Sequence, residues 1–125
     1  MAELKELLGK TLVSATGKVG GEEIIFVTTE GKQYRMWHSQ DCCESVLVED
    51  ICGELGDLVG SPILQAEESS NSKENPPGVT PQYQDSYTWT FYRMGTAKGG
   101  VVIRWYGESN GYYSESVDFD EVKNG

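Results

Sequence analysis

The chain has 125 residues, of which 38% are hydrophobic, enough for one folded domain and too many for wholesale disorder. Its 10 basic and 20 acidic residues give a formal net charge of −10, which excludes a broad basic face for a DNA or RNA duplex. No apolar run approaches the roughly 20 residues that span a bilayer, and no signal peptide is recognisable at the N-terminus. We therefore expect one soluble domain over residues 1–125, with neither a membrane nor a nucleic acid polymer as its partner.

The first half of the chain predicts a short helix followed by strands. Residues 2–9 place Leu4, Leu7 and Leu8 at helical spacing before a glycine, which predicts an N-terminal helix. Strands are predicted over KTLVSATG, ESVLVEDI and SPILQAEE. The run EEIIFVTTEGKQYRMWH predicts a hairpin, because Gly31 can adopt the positive φ of a tight turn. The run ICGELGDLVG predicts one short internal helix.

The second half predicts a long loop and then three closely spaced strands. Residues 69–86 contain three prolines and no periodic pattern, which indicates a long polar loop. Strands are predicted over residues 86–96, 101–107 and 112–119, joined by AKGG and by an Asn110-Gly111 turn. The expected fold class is mainly β (α+β), a compact antiparallel β domain with an N-terminal helix and one short internal helix.

Two of the three arginines lie within the aromatic strings TWTFYRM and VVIRWYG. If Thr96 and Val101 close the turn between these strings, Arg93 lies opposite Arg104. Side chains alternate along strands, so one face is predicted to hold Trp89, Phe91, Arg93, Val102, Arg104 and Tyr106. The other face is predicted to be core, with Tyr92, Met94, Val101, Ile103 and Trp105. Because like charges directly opposite each other destabilise a sheet, we expect an anion between the two guanidinium groups.

The source of that anion is open from the sequence. With 20 carboxylates in the chain, Asp or Glu side chains are one source. A ligand with phosphate and an aromatic base is the other, because guanidinium groups bind phosphate and rings stack on bases. In this interpretation the phosphate contacts are Arg93 and Arg104, and the stacking or covering rings are Trp89, Phe91, Tyr106 and Tyr112. Asn110 then contacts a base edge or a ribose hydroxyl, although it equally fits a turn.

The run MWHSQDCCESV offers a weaker, catalytic pattern. An imidazole such as His38 can generate a thiolate on Cys42, but buried and inert thiols are the commoner state of such cysteines. Zinc would need four ligands at a recognisable spacing, and His38, Cys42, Cys43 and Cys52 lack a CxxC pattern. P-loop, GxGxxG and HExxH motifs are absent from the sequence, and we interpret the run GESNG as a strand end that leads into an Asn-Gly turn rather than as a serine motif. We therefore expect no catalytic residue, no metal and no cofactor, and we interpret the chain as a binding protein with reduced thiols rather than an enzyme.

Four strings together resemble a family of small phage and prophage proteins, the first type of Thoeris anti-defence sponge. They are LLGKTLVSATG, HSQDCCESVLVEDICGELGDLVGSPILQAEE, SYTWTFYRM and VVIRWYGESNGYYSESV, and the resemblance covers nearly the whole chain outside residues 69–86. It implies a protein that binds a cyclic ADP-ribose isomer made by a host TIR-domain protein and holds it without cleaving it. Some of these proteins also take up small cyclic oligonucleotides. The resemblance further implies a homo-oligomer with ligand pockets where protomers meet, in the cytoplasm of the host bacterium.

The function expected from the sequence is therefore sequestration of a small cyclic nucleotide immune signal, with glycocyclic ADP-ribose as the first choice. Two alternatives belong to other classes. One is a small phage hydrolase that acts on a nucleotide through His38 and Cys42, and the other is a phage structural or protein-binding module without a small ligand. Consumption of a nucleotide would favour the hydrolase, whereas a melting temperature that no nucleotide shifts would favour the protein-binding module.

Overall fold

The structure, a computed structural model, describes residues 3–40, 44–72, 86–109 and 114–122. Within these ranges the chain forms eight β-strands: β1 (Leu12–Thr16), β2 (Glu23–Thr28), β3 (Gln33–Trp37), β4 (Ser45–Cys52), β5 (Gln65–Asn71), β6 (Ser86–Thr96), β7 (Gly99–Ser109) and β8 (Asp118–Val122). They pair antiparallel in two four-stranded sheets, ordered β1-β2-β3-β8 and β4-β7-β6-β5. The predicted mainly β class is confirmed, and Gly31 has the positive φ, 84°, expected for the turn between β2 and β3.

The two predicted helices are short 3-10 turns, Leu4–Leu7 and Leu55–Leu58. The first one ends early because the next residues join a ladder: Leu8 bridges to Ile63, and the Gly9 amide donates to the Ile63 carbonyl at 2.8 Å. The second one ends in the same way, since the chain after it bridges to Leu12. In the part of the chain that the structure describes, no helix is long and apolar enough to cross a membrane.

The two sheets pack face to face around one hydrophobic core. The first sheet provides the buried side chains of Ile24, Phe26, Tyr34, Met36 and Phe119, and the second provides Val46, Val48, Tyr92, Met94, Val101, Ile103 and Trp105. The indole N–H of Trp105 donates to the Met36 sulfur at 3.1 Å, which links the sheets across the core. The predicted core face of the β6–β7 hairpin is therefore confirmed.

The last strand belongs to the other sheet, which corrects a sequence prediction. We expected residues 112–119 to form a hairpin with β7, but residues 114–117 are not a strand and β8 pairs with β3. The reason is burial, because the Phe119 ring stacks on Tyr34 at 5.6 Å between centroids and completes the core side of the first sheet. The predicted turn at Asn110 and Gly111 lies outside the described residues.

Strand β5 also extends further than the sequence indicated. The polar loop was predicted to begin at residue 69, but the strand continues to Asn71, with Ser69 opposite Phe91 and Ser70 opposite Thr90. A strand at the edge of a sheet needs only one hydrogen-bonded neighbour and can expose its side chains, so polar residues do not end it. The remainder of the predicted loop, residues 73–85, lies outside the described residues.

Candidate binding face

The β6–β7 hairpin is tighter than the sequence predicted. Thr96 lies opposite Gly99, so the turn has two residues instead of the four in AKGG. Asp57 packs close to Gly99 at the start of β7, where a Cβ would lie 3.1 Å from an Asp57 carboxylate oxygen. The Thr96 hydroxyl accepts a hydrogen bond from the Lys98 amide at 3.2 Å and fixes the turn.

This register separates the two arginines. Arg104 lies opposite Phe91 and Arg93 lies opposite Val102, so the predicted direct pairing of Arg93 with Arg104 is wrong. The shift is two residues, which preserves the alternation of side chains, so all the predicted residues still share one outward face. We call the outward side chains of Trp89, Phe91, Arg93, Arg104 and Tyr106 the arginine face. On it the two arginines are diagonal neighbours, at positions about 7–8 Å apart.

Each arginine of this face has a partner within the protein. The Arg104 Nε–H donates to the carboxylate of Glu49, and its guanidinium carbon lies 5.3 Å from the ring centroid of Trp89. Arg93 donates from Nη1 to the Ser69 hydroxyl at 3.3 Å, and its guanidinium carbon lies 5.7 Å from the ring centroid of Phe91. A carboxylate of the chain is therefore the anion at Arg104, while the exposed Arg93 donates to a neutral hydroxyl and lies opposite Glu67 in the ladder.

The aromatic side chains of the face form two layers. Trp89 is only 1% exposed and lies against Tyr106, with 4.5 Å between ring centroids. Phe91 and Tyr106 are half-buried, so a ligand on this face would contact them before Trp89. Trp89 therefore supports Tyr106 and Arg104 from below rather than offering an open stacking surface. The other two predicted ligand contacts, Asn110 and Tyr112, lie outside the described residues.

The third arginine lies on the outward face of the other sheet. The guanidinium carbon of Arg35 is 3.6 Å from the ring centroid of Trp37, and its Nη1 lies 3.4 Å from a Glu23 carboxylate oxygen. The indole N–H of Trp37 donates to Asp120 at 2.9 Å. Arg35 thus has the same kind of surroundings as Arg104, an aromatic ring and a carboxylate, without a second arginine beside it. It provides a matched control for the arginine face.

His38 occupies a buried structural site. One ring nitrogen, Nδ1, lies 2.7 Å from the Ser116 carbonyl oxygen, and the other, Nε2, lies 2.8 Å from the Glu44 carboxylate. The side chains of His38 and Glu44 are 4% and 0% exposed. A carbonyl only accepts hydrogen bonds, so Nδ1 carries a proton. Both nitrogens are therefore engaged, and neither is available to a thiol in this arrangement.

The surroundings of His38 shift its pKa in opposite directions. Burial lowers the pKa, but the hydrogen bonds with Glu44 and the Ser116 carbonyl and the negative charges of Glu44 and Asp118 outweigh it. The pKa of His38 therefore lies above its usual value of 6.5. An imidazolium with both N–H groups donating is the form that satisfies both neighbours.

The residues of the weaker, catalytic pattern are only partly covered by the described residues. Cys42 and Cys43 lie outside them, while Cys52 is an exposed free thiol. Among the residues that the structure describes, no group of three His, Cys, Asp or Glu side chains could hold a metal ion. The two ring nitrogens of His38 are hydrogen-bonded to Glu44 and to the Ser116 carbonyl.

Two carboxylates have roles that the sequence did not reveal. Glu49 pairs with Arg104, and Glu115 is a buried residue that accepts hydrogen bonds from the hydroxyls of Thr88 at 2.9 Å and Ser109 at 2.6 Å. An acidic residue in an apolar strand such as VLVEDI suggests an ion pair, but its partner cannot be identified from the sequence. Nothing in the sequence connects Glu115 with Thr88, because the contact depends on the chain crossing between sheets.

Two antiparallel sheets that enclose one core define a β-sandwich, here with an outward face of arginines and aromatic rings. The model of the family described as "Domain of unknown function (DUF7448)" matches residues 5–119, and the chain belongs to that family. No curated protein and no solved structure matches the chain. Its function is therefore argued from the arginine face.

Proposed function

We propose that the protein binds a small cyclic nucleotide on the arginine face and holds it without cleaving it, with glycocyclic ADP-ribose as the expected ligand. One observation carries the proposal: both arginines of this face lie near an aromatic ring. The guanidinium carbon of Arg93 is 5.7 Å from the ring centroid of Phe91, and that of Arg104 is 5.3 Å from the ring centroid of Trp89. Guanidinium groups bind phosphate by paired N–H donors, and aromatic rings stack on bases. Diagonal positions on neighbouring strands are close enough for two long arginine side chains to reach the same ligand.

The arginine face has enough contacts to supply the binding free energy that sequestration requires. A sequestering protein must compete with a host receptor, which requires sub-micromolar affinity, or about −8 kcal/mol. Each charge-assisted arginine contact contributes about 1.5–3 kcal/mol, and each stacked ring about 1–3 kcal/mol. These contributions suffice only on a preorganised site. The contacts of Arg93 with Phe91 and of Arg104 with Trp89 supply such preorganisation.

We further propose that the ligand is enclosed between protomers of a homo-oligomer in the host bacterial cytoplasm. Small-molecule sites usually bury about 70–90% of the ligand surface. The outward face of one sheet contacts a ligand from one side only, so a second surface has to cover the other side. A symmetric neighbour of the same chain is the simplest source of that surface.

The test is direct capture. The protein is incubated with a lysate that contains the signal of a TIR-domain defence protein, unbound material is removed, and the heated protein is analysed by mass spectrometry. Release of the intact cyclic nucleotide supports sequestration, and release of a hydrolysed product would favour the hydrolase. Release of no nucleotide at all would contradict the proposal and favour a protein-binding module.

Variants of the three arginines identify the site. Titration with cyclic ADP-ribose should give binding that Arg93→Ala and Arg104→Ala each weaken by roughly 10- to 100-fold, the equivalent of one charge-assisted contact. Arg35→Ala removes the same charge from the other sheet and should change the affinity by less than about threefold, as expected for a distant, partly exposed charge. If all three variants weaken binding equally, total charge rather than contact is responsible, and the arginine face is the wrong site.

A further inference from the structure

Strand β4 contains a β-bulge beside Arg104. Its pairing with β7 passes from Val48 opposite Trp105 directly to Asp50 opposite Arg104, so Glu49 is the extra residue. A bulge redirects a side chain and is common beside functional sites. Here it places two consecutive acidic residues next to one arginine.

The bulge also determines which side chains of β4 face the core beyond Glu49. Beyond it, Ile51 lies opposite Ile103, packs against the core and leaves Cys52 exposed. In an unbroken ladder Ile51 would instead point outward, since side chains alternate. The extra residue therefore brings a carboxylate to Arg104 while β4 keeps its contribution to the core.

The ion pair that results is only partly buried. The side chains of Arg104 and Glu49 are 23% and 32% exposed. Pairs at such sites contribute little to stability, because water solvates the separated charges well. Glu49 can therefore leave Arg104 at little cost when a stronger anion arrives. The Nη groups of Arg104 carry its other four N–H donors.

We infer that Glu49 is an internal competitor, a carboxylate that occupies Arg104 in the free protein and that an anionic ligand displaces. This inference rests on the proposed function of the arginine face. It also predicts a preference: a ligand with one carboxylate gains nothing by replacing the carboxylate of Glu49. A ligand with two linked phosphates gains a second contact at Arg93, whose partner in the free protein is the neutral hydroxyl of Ser69.

The experiment compares Glu49→Gln with Asp50→Asn, titrated with cyclic ADP-ribose. Both changes remove one negative charge from the same bulge, but the ion pair of Arg104 is with Glu49. Glu49→Gln should bind the probe about two- to fivefold more tightly than the wild type, the range expected from losing a partly exposed pair. Asp50→Asn should give a smaller gain. In an Arg104→Ala background, the two changes should have the same effect.

The outcomes separate the two claims. If cyclic ADP-ribose binds neither the wild type nor any variant, the proposed function fails and the inference falls with it. If the wild type binds through Arg104 and Glu49→Gln gains nothing, or no more than Asp50→Asn, the inference alone is overturned. If Glu49→Gln does not fold, the inference is tested on the wild type by NMR, through the Nε–H resonance of Arg104. It should shift on binding as its acceptor changes, and a stationary resonance in a protein that binds the probe overturns the inference.

Discussion

Loss of the imidazole at residue 38 should destabilise the protein strongly, because it removes a partner from a buried carboxylate. The Glu44 side chain is fully buried in the protein, and in His38→Ala a remaining side-chain partner is Gln40, which donates a hydrogen bond at 3.1 Å. Removing one partner of a buried ion pair lowers the free energy of unfolding by about 3–5 kcal/mol. Because Glu44 keeps its hydrogen bond from Gln40, we expect a loss near the lower end, about 3 kcal/mol, for His38→Ala. Small domains have an unfolding free energy of about 5–15 kcal/mol, so the loss is large. It corresponds to a fall of roughly 10 °C in melting temperature.

The same pair makes stability depend on pH, and the sign follows from the raised pKa of His38. The folded protein holds the proton of His38 more tightly than the unfolded chain does. The contribution of the pair is therefore fully present below the unfolded pKa of about 6.5 and is lost as the pH rises through the higher folded pKa. His38 is the only histidine of the chain, which makes the assignment unambiguous.

Urea unfolding at about pH 6 and about pH 8 measures both effects, since histidine is the side chain that usually titrates in this interval. The wild type should lose stability between the two values, and His38→Ala should lose much less. Glu44→Gln keeps the shape of the side chain and removes its charge, so it should also flatten the dependence. A His38→Ala variant that costs under about 1 kcal/mol, or that keeps the wild-type pH dependence, would refute this reasoning.

Further predictions concern packing and assembly. Gly107→Ala should cost about 1–3 kcal/mol, because its Cβ would lie 2.6 Å from the Glu115 carbonyl oxygen. Gly56→Ala, in the second 3-10 turn, meets no atom within 4 Å and should be neutral or stabilising by up to about 1 kcal/mol. Equal melting temperatures for these two variants would contradict the packing argument. Light scattering should give a multiple of the 13.8 kDa protomer mass, and a monomer mass would exclude the proposed assembly.

Local periodicity was enough to locate most strands and to separate their two faces. Alternation in EIIFVT and QYRMW reappears as the buried positions Ile24, Phe26, Tyr34 and Met36. The core face of the β6–β7 hairpin was also predictable, because an error of two residues in register leaves every side chain on its own face. These features depend on near neighbours in the chain, which is the information that a single sequence contains.

Features that depend on distant segments were not predictable. A turn sequence such as Asn110-Gly111 favours a hairpin locally, but Phe119 buries its ring against Tyr34 in the other sheet. The tight turn after β6 is contacted by Asp57, a residue from a different part of the chain, whose backbone carbonyl accepts a hydrogen bond from the Thr96 hydroxyl. The bulge at Glu49 likewise follows from matching Ile51 to the core, and no local pattern marks it.

The observed register of the β6–β7 hairpin determines how much Arg93 and Arg104 contribute to the stability of the fold. With Arg93 opposite Arg104, the facing like charges would have destabilised the hairpin by up to about 1 kcal/mol, and removal of either arginine would have changed stability as well as binding. As diagonal neighbours with their own partners, Glu49 and Ser69, both arginines are dispensable for folding at a cost of about 1 kcal/mol or less each. A variant that lacks both should therefore unfold nearly as the wild type does. Any binding that it loses can be assigned to the arginine face itself.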